Sequence, residues 1–227
     1  MTQFIQPLPP FSPRSLSLSV SRCTFQPAHY QDSLFDFYGL TFPTALRHAA
    51  RSRRAEYLAG RYLAQQWLSK NGYGQRPVLS DEQGIPLWPV GVSGSISHTE
   101  RIALCVMIDS PKGVGIGVDV ENLIAPEDAA VLHQAIIGGE EYRYLKQVPL
   151  AFHAALTLAF SAKESVYKAL SHREAICDFH DIRLVAISVD VRQFYCQVAH
   201  RLWRGEYLFE NGCVYTALYA SPEDNCL

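Results

Sequence analysis

The segment Gly113-Val114-Gly115-Ile116-Gly117-Val118-Asp119-Val120-Glu121 holds two acids two residues apart behind two glycines at the same spacing. Strand side chains alternate, so Val114, Ile116, Val118 and Val120 line one apolar face, while Gly115, Gly117, Asp119 and Glu121 share the other. The missing side chains admit a second backbone or a ligand at close range, and two carboxylates project from that same side. Hard oxygen donors held in this way suit Mg²⁺, which takes one or two carboxylates together with phosphate oxygens and water. The residues alone also fit a strand end with exposed acids. A dinucleotide-binding G-x-G-x-x-G is excluded, because Val118 stands where its last glycine would fall, and no G-x-x-x-x-G-K-[ST] loop occurs.

Three further groups could carry chemistry. In Phe160-Ser161-Ala162-Lys163-Glu164-Ser165-Val166-Tyr167-Lys168, helical spacing puts Glu164 and Lys168 on one face. They form either an ordinary surface ion pair or a carboxylate that joins Asp119 and Glu121, with Lys163 and Lys168 neutralising phosphate. Ser97-His98, read as lying just ahead of a strand, offers a hydroxyl and an imidazole at a loop end, with a structural histidine as the alternative. Adjacent side chains on extended backbone point opposite ways, so these two do not form a nucleophile and its base. Arg47, Arg51, Arg54 and Arg61 fall on one helical face with Arg53 beside it. Between positions 44 and 70 six basic residues accompany one acid, Glu56, although the whole chain carries a formal charge of −2. Either a solvated basic face or a seat for a polyanion accounts for that concentration.

The elements that position these residues can be read coarsely. Helical patterns run from 44 to about 70 and from about 150 to 170. Residues 102–108 and 114–121 read as the strands of a hairpin, with Asp109-Ser110-Pro111-Lys112-Gly113 as its turn. An early strand is expected at 15–20 after a loose, proline-rich arm, and later strands at 183–189, 194–198, 206–209 and 214–219. This irregular interleaving predicts an α+β fold. If there are two lobes, they divide near Lys112 and Gly113, giving 1–112 and 113–227. Of the 227 residues 48% are hydrophobic and 19% charged, which excludes wholesale disorder, and the near-balanced charge argues against a nucleic-acid partner. The longest central apolar run is too short for a transmembrane segment, and the N-terminus lacks secretion-signal features, so a cytoplasmic location is expected. The six cysteines, Cys23, Cys105, Cys177, Cys196, Cys213 and Cys226, form no C-x-x-C pair and are expected to be reduced and mostly buried.

Gly117-Val118-Asp119-Val120-Glu121, followed about forty residues later by Lys163-Glu164-Ser165-Val166-Tyr167-Lys168, resembles the paired signature of the 4′-phosphopantetheinyl transferases. Glu56-Tyr57-Leu58-Ala59-Gly60-Arg61 and Gly94-Ser95-Ile96-Ser97-His98 are similar to the siderophore branch of that family, as is the run from Leu156 to Ser165. The resemblance spans roughly residues 47 to 170. It implies two similar α/β lobes with pseudo-twofold symmetry, the first carrying a basic coenzyme A-binding helix and the second a metal site and catalytic helix. It implies a reaction in which a carrier-protein serine attacks the β-phosphate of coenzyme A and adenosine 3′,5′-bisphosphate leaves. By resemblance, Asp119, Glu121 and Glu164 hold Mg²⁺, and Glu164 also helps deprotonate the serine. Lys163 and Lys168 contact phosphates, with Lys168 placed to stabilise the leaving group. Ser97 and His98 contact coenzyme A, and Arg53, Arg54 and Arg61 face its 3′-phosphate. Many relatives carry Gly-Lys-Pro where this chain has Gly84-Ile85-Pro86, so one phosphate contact is absent or supplied by an arginine.

The expected partners are apo aryl-carrier and peptidyl-carrier domains of a non-ribosomal, enterobactin-like siderophore synthetase, met by a monomer that could associate loosely with a membrane-bound complex. The carrier is expected to dock on a partly apolar surface around 137–144. The alternatives are fatty-acid or polyketide carriers, a non-catalytic coenzyme A-binding module, and a Mg²⁺-dependent phosphohydrolase. Intact Asp119, Glu121, Glu164 and Lys168 argue against mere binding.

Overall fold

A computed structural model describes residues 4–110, 115–170 and 179–220, and within them two antiparallel sheets are each packed against a long helix. The expected α+β class is what the chain adopts. Two units result: residues up to Phe11 with Ser19–Ser110 form the first, and Ser12–Leu18 with the residues after Ser110 form the second. The predicted division at Lys112 and Gly113 lies outside the described residues, as do Val114, Cys177 and Cys226.

In the first unit, β1 (Ile5–Phe11), β2 (Val20–Phe25), β3 (Val92–His98) and β4 (Ile102–Asp109) make a sheet of order β1-β2-β4-β3. After the short α1 (Leu34–Phe37), helix α2 (Arg51–Lys70) buries Ala55, Leu58, Ala59, Leu63, Ala64 and Leu68, the three- and four-residue spacing of an amphipathic helix. Phe4, Phe25, Tyr30 and Phe35 complete its core.

Several expectations fail here for identifiable reasons. The proline-rich arm contains strand β1, because an edge strand tolerates residues that donate no ladder hydrogen bond. The alternating segment at 15–19 is not a strand. Its Leu16 and Leu18 are buried, but the Arg14 and Ser15 amides each donate to the buried Glu206 carboxylate at 2.6 Å, leaving no ladder to join. The predicted 102–121 hairpin is also replaced. β4 pairs with β3, and Thr99 Oγ1 accepts the Ile102 amide at 3.1 Å in the turn between them. Serines and a glycine hid β3, and Ser97 and His98, which precede β4 as expected, are the last two residues of β3.

The second unit orders its strands β5-β9-β8-β7-β6, where β5 is Gly115–Asn122, β6 Ile182–Ser188, β7 Gln193–Val198, β8 Arg201–Glu210 and β9 Cys213–Ala220. Helices α3 (Pro126–Ile136) and α4 (Gly139–Leu145) precede α5 (Phe152–Leu170), whose Ala155, Leu156, Leu158, Ala159, Ala162, Val166 and Ala169 are buried. The glycine face of β5 is the face that α5 covers. A Cβ on Gly117 would stand 1.9 Å from the Ser165 carbonyl oxygen, so only glycine allows this approach. The four described cysteines are free and buried, and burial pushes the Cys23 and Cys105 thiols up to about 12. No described helix is long and apolar enough to cross a membrane.

Candidate active site

Strand β5 and helix α5 bring Asp119, Glu121, Glu164 and Lys168 together. Asp119 is only 1% exposed, and Lys168 Nζ donates to its Oδ1 at 2.6 Å. Burial pushes the Glu121 carboxyl up to about 7; the Asp119 charge adds to the effect, Lys168 opposes it and Glu164 reinforces it. Glu164 is raised in the same direction, chiefly by burial, with Lys168 lowering and Asp119 raising it. Three mutually repelling carboxylates therefore face one ammonium, an arrangement left short of positive charge.

The donors present are hard oxygens. Among the described residues no three His, Cys, Asp or Glu side chains enclose an ion by themselves. A Mg²⁺ that draws most of its shell from phosphate and water needs only one or two carboxylates, so this open, electronegative set fits that ion.

Lys163 is not part of this cluster, which corrects the phosphate contact expected of it. Its side chain is fully buried, with Nζ donating to the Ile136 carbonyl at 2.9 Å and to Glu141 Oε2 at 3.1 Å, and lying 3.0 Å from Oε1. The Phe179 ring covers the ammonium at 5.5 Å. Glu141 also accepts the Gly138 amide at 2.9 Å and the Leu184 amide at 2.8 Å, so the pair ties α4 and β6 to α5. Nothing in the sequence distinguishes Glu141 from the neighbouring, exposed Glu140. Much of the apolar material expected on the surface at 137–144 also turns inward: Ile137 is 4% exposed, and the Tyr144 hydroxyl accepts the Ile187 amide. The exposed apolar side chains of this region are Val131 and Leu132 on α3.

In the first unit the arginines separate by environment. Arg47 precedes α2 instead of sharing its face, and its carbonyl accepts from Arg54. Arg54 is also bound to Asp32 at 2.9 Å, and Arg51 to the Ala28 and Tyr30 carbonyls. Arg61 is 6% exposed, donates to Ser80 Oγ at 2.7 Å and lies over the Tyr57 ring. Arg53 alone of those expected to meet a phosphate is half-exposed, and its Nη1 lies 2.7 Å from His98 Nε2. A guanidinium only donates, so the His98 proton sits on Nδ1, 3.6 Å from Glu56 Oε2. Three arginines crowd the first turn of α2, where the helix dipole is itself positive and the turn itself contains no acid. Ser97 is buried on β3, adjacent to His98 but on the opposite face of the strand.

Two family models match the chain: one described as the 4′-phosphopantetheinyl transferase N-terminal domain at residues 42–108, and one described as the 4′-phosphopantetheinyl transferase superfamily at 115–213. The chain is 36% identical over 191 residues to an enterobactin synthase component D of Salmonella typhi, covering 82% of this chain and 80% of that protein. It is 39% identical over 162 residues to the protein of that name from Escherichia coli O157:H7, covering 71% and 75%. It is also 31% identical over 151 residues to the 4′-phosphopantetheinyl transferase PptT of Mycobacterium tuberculosis, covering 64% and 65%.

Proposed function

Because this chain belongs to the 4′-phosphopantetheinyl transferase superfamily, we propose that it moves the phosphopantetheine arm of coenzyme A onto a serine of apo aryl-carrier and peptidyl-carrier domains in an enterobactin-like siderophore synthetase. The observation that carries the site assignment is the carboxylate excess at Asp119, Glu121 and Glu164 around Lys168. In the reaction the serine oxygen bonds to the β-phosphorus, the bridging P–O bond to the α-phosphate breaks, and adenosine 3′,5′-bisphosphate leaves with that electron pair. Glu164, whose affinity for a proton burial raises, accepts the serine proton. Lys168 stands beside Asp119 to neutralise charge on the departing phosphate.

Asp119 and Glu121, with Glu164 beside them, would hold Mg²⁺, which when bound polarises the phosphoryl oxygens and screens the pyrophosphate charge. Arg53 supplies an exposed guanidinium for the phosphates of coenzyme A, with His98 accepting from it, while Arg54 is held by Asp32 and Arg61 by Ser80 and the Tyr57 ring. Lys163 takes no part in phosphate binding in this scheme. A cytoplasmic monomer is the form proposed to act.

Mass spectrometry of an apo aryl-carrier domain incubated with the protein, coenzyme A and Mg²⁺ tests the reading. A gain of about 340 Da that disappears with chelator is expected for a metal-assisted transfer. Release of free phosphopantetheine without a carrier would favour a phosphohydrolase instead. Modification of fatty-acid carriers alone would reassign the partner.

A further inference from the structure

Asp119 and Thr216 are directly opposite each other on β5 and β9, so their side chains leave the same face of the sheet, the one beneath α5. Thr216 is fully buried, and its Oγ1 donates to the Ser161 carbonyl at 3.0 Å. That uses its only proton. The Ser161 and Ser165 hydroxyls, 2.9 Å and 2.6 Å away, are therefore the donors in their contacts with Thr216. One threonine oxygen is thus saturated by two successive turns of α5.

Glu164 immediately precedes Ser165, and Lys168 follows it by three residues. Elsewhere α5 meets the sheet through close backbone approach and apolar packing: Gly117 lies against the Ser165 and Ala169 backbone, and Leu156, Val166 and Leu170 share a core with Phe194, Trp203 and Leu218. Apolar packing sets how closely the helix lies, but it is non-directional. A slip of one residue moves a side chain by about 1.5 Å along the axis and about 100° around it. Either component would take Lys168 out of its 2.6 Å contact with Asp119. Directional hydrogen bonds resist both motions.

We propose that Thr216 is a positioning residue, whose hydroxyl fixes the axial register of α5 and so holds Glu164 and Lys168 opposite Asp119. Its catalytic consequence rests on the transferase reading above, while its structural consequence does not. Crystal structures of the wild type, Thr216→Val and Thr216→Ser test the structural part. In Thr216→Val, Ser161 and Ser165 can turn to carbonyls of their own helix. The variant is expected to show α5 displaced and the Lys168–Asp119 contact lengthened or lost, and Thr216→Ser to restore it. An unmoved helix with that contact intact would overturn the proposal.

Kinetics then read the consequence. Thr216→Val is expected to lower kcat about tenfold or more while KM for coenzyme A stays within about twofold, with Thr216→Ser recovering most of the loss. Should Thr216→Val fail to fold, Ser161→Ala with Ser165→Ala removes two of the three hydrogen bonds, sparing the one to the Ser161 carbonyl, and is expected to shift α5 and lower kcat in the same direction by a smaller amount. A kcat within about twofold of wild type in the folded variants would also overturn the proposal. If wild type transfers nothing, the functional reading fails, and the crystal comparison still decides the role of Thr216.

Discussion

Helix α5 carries two lysines, five residues apart and so about 140° apart around its axis, and each meets a buried acid. At Lys163 every contact is matched: a carbonyl, a carboxylate and an aromatic face surround the ammonium, while two backbone amides satisfy the same carboxylate. At Lys168 one ammonium meets Asp119 with Glu121 and Glu164 beside it, and negative charge is left over. A balanced pair of this kind is architecture, because nothing remains for a ligand to complete. An unbalanced one costs stability when empty, and that cost is recovered only by binding something positive.

The comparison can be broken from either end, and removing the acid is the informative change. Asp119→Ala takes away one of three repelling carboxylates and leaves Lys168 two others. Transfer is expected to fall by about a thousandfold or more, with the melting temperature unchanged or raised. Parallel turnover assays and thermal melts check both halves. Glu141→Ala does the opposite. It strands a fully buried ammonium, and urea titration should show a loss of about 3–5 kcal/mol. The folded fraction is expected to keep its kcat. A Glu141→Leu, Lys163→Met double variant should regain only part of the stability, since it removes the stranded charge but takes the acceptor from the Gly138 and Leu184 amides.

The smallest effect is a pH dependence. The folded-state pKa of Glu121, about 7, lies above the ordinary carboxyl value of 4.5, so the folded protein holds the extra proton more tightly. The stability linked to that proton is complete below about 4.5 and lost as pH rises through about 7. Metal-free protein should therefore melt a few degrees lower at pH 8 than at pH 5.5 on this account, Glu164 contributing in the same direction. Glu121→Gln should flatten the trend, and Mg²⁺ should raise the melting temperature more at pH 8 than at pH 5.5. A Glu121→Gln protein with the wild-type slope would show that this carboxyl is not the group responsible.

The sequence carries the unbalanced end better than the balanced one. Asp119 and Glu121 announce themselves by alternation behind paired glycines, and Gly117 does admit a second backbone, that of α5. Lys163 and Lys168 look equivalent in the sequence because both flank Glu164. Only the fold, which carries Glu141 to α5 from 22 residues away in sequence, separates them. The long helices were legible from their apolar spacing, and the later strands from alternation. β1 was hidden by prolines that an edge position tolerates, and β3 by its serines. The segment at 15–19 shows the converse failure: alternation was present, but the Glu206 carboxylate took the backbone amides at its start. Local pattern reports which side chains are buried; it does not report which partner receives the backbone.

The most direct test follows the mass of an apo aryl-carrier domain over time with coenzyme A and Mg²⁺, using wild type, Asp119→Ala and Glu141→Ala protein, each confirmed as folded. A gain of about 340 Da is expected with wild type and with folded Glu141→Ala, and none with Asp119→Ala. Modification by folded Asp119→Ala at the wild-type rate would contradict the site assignment.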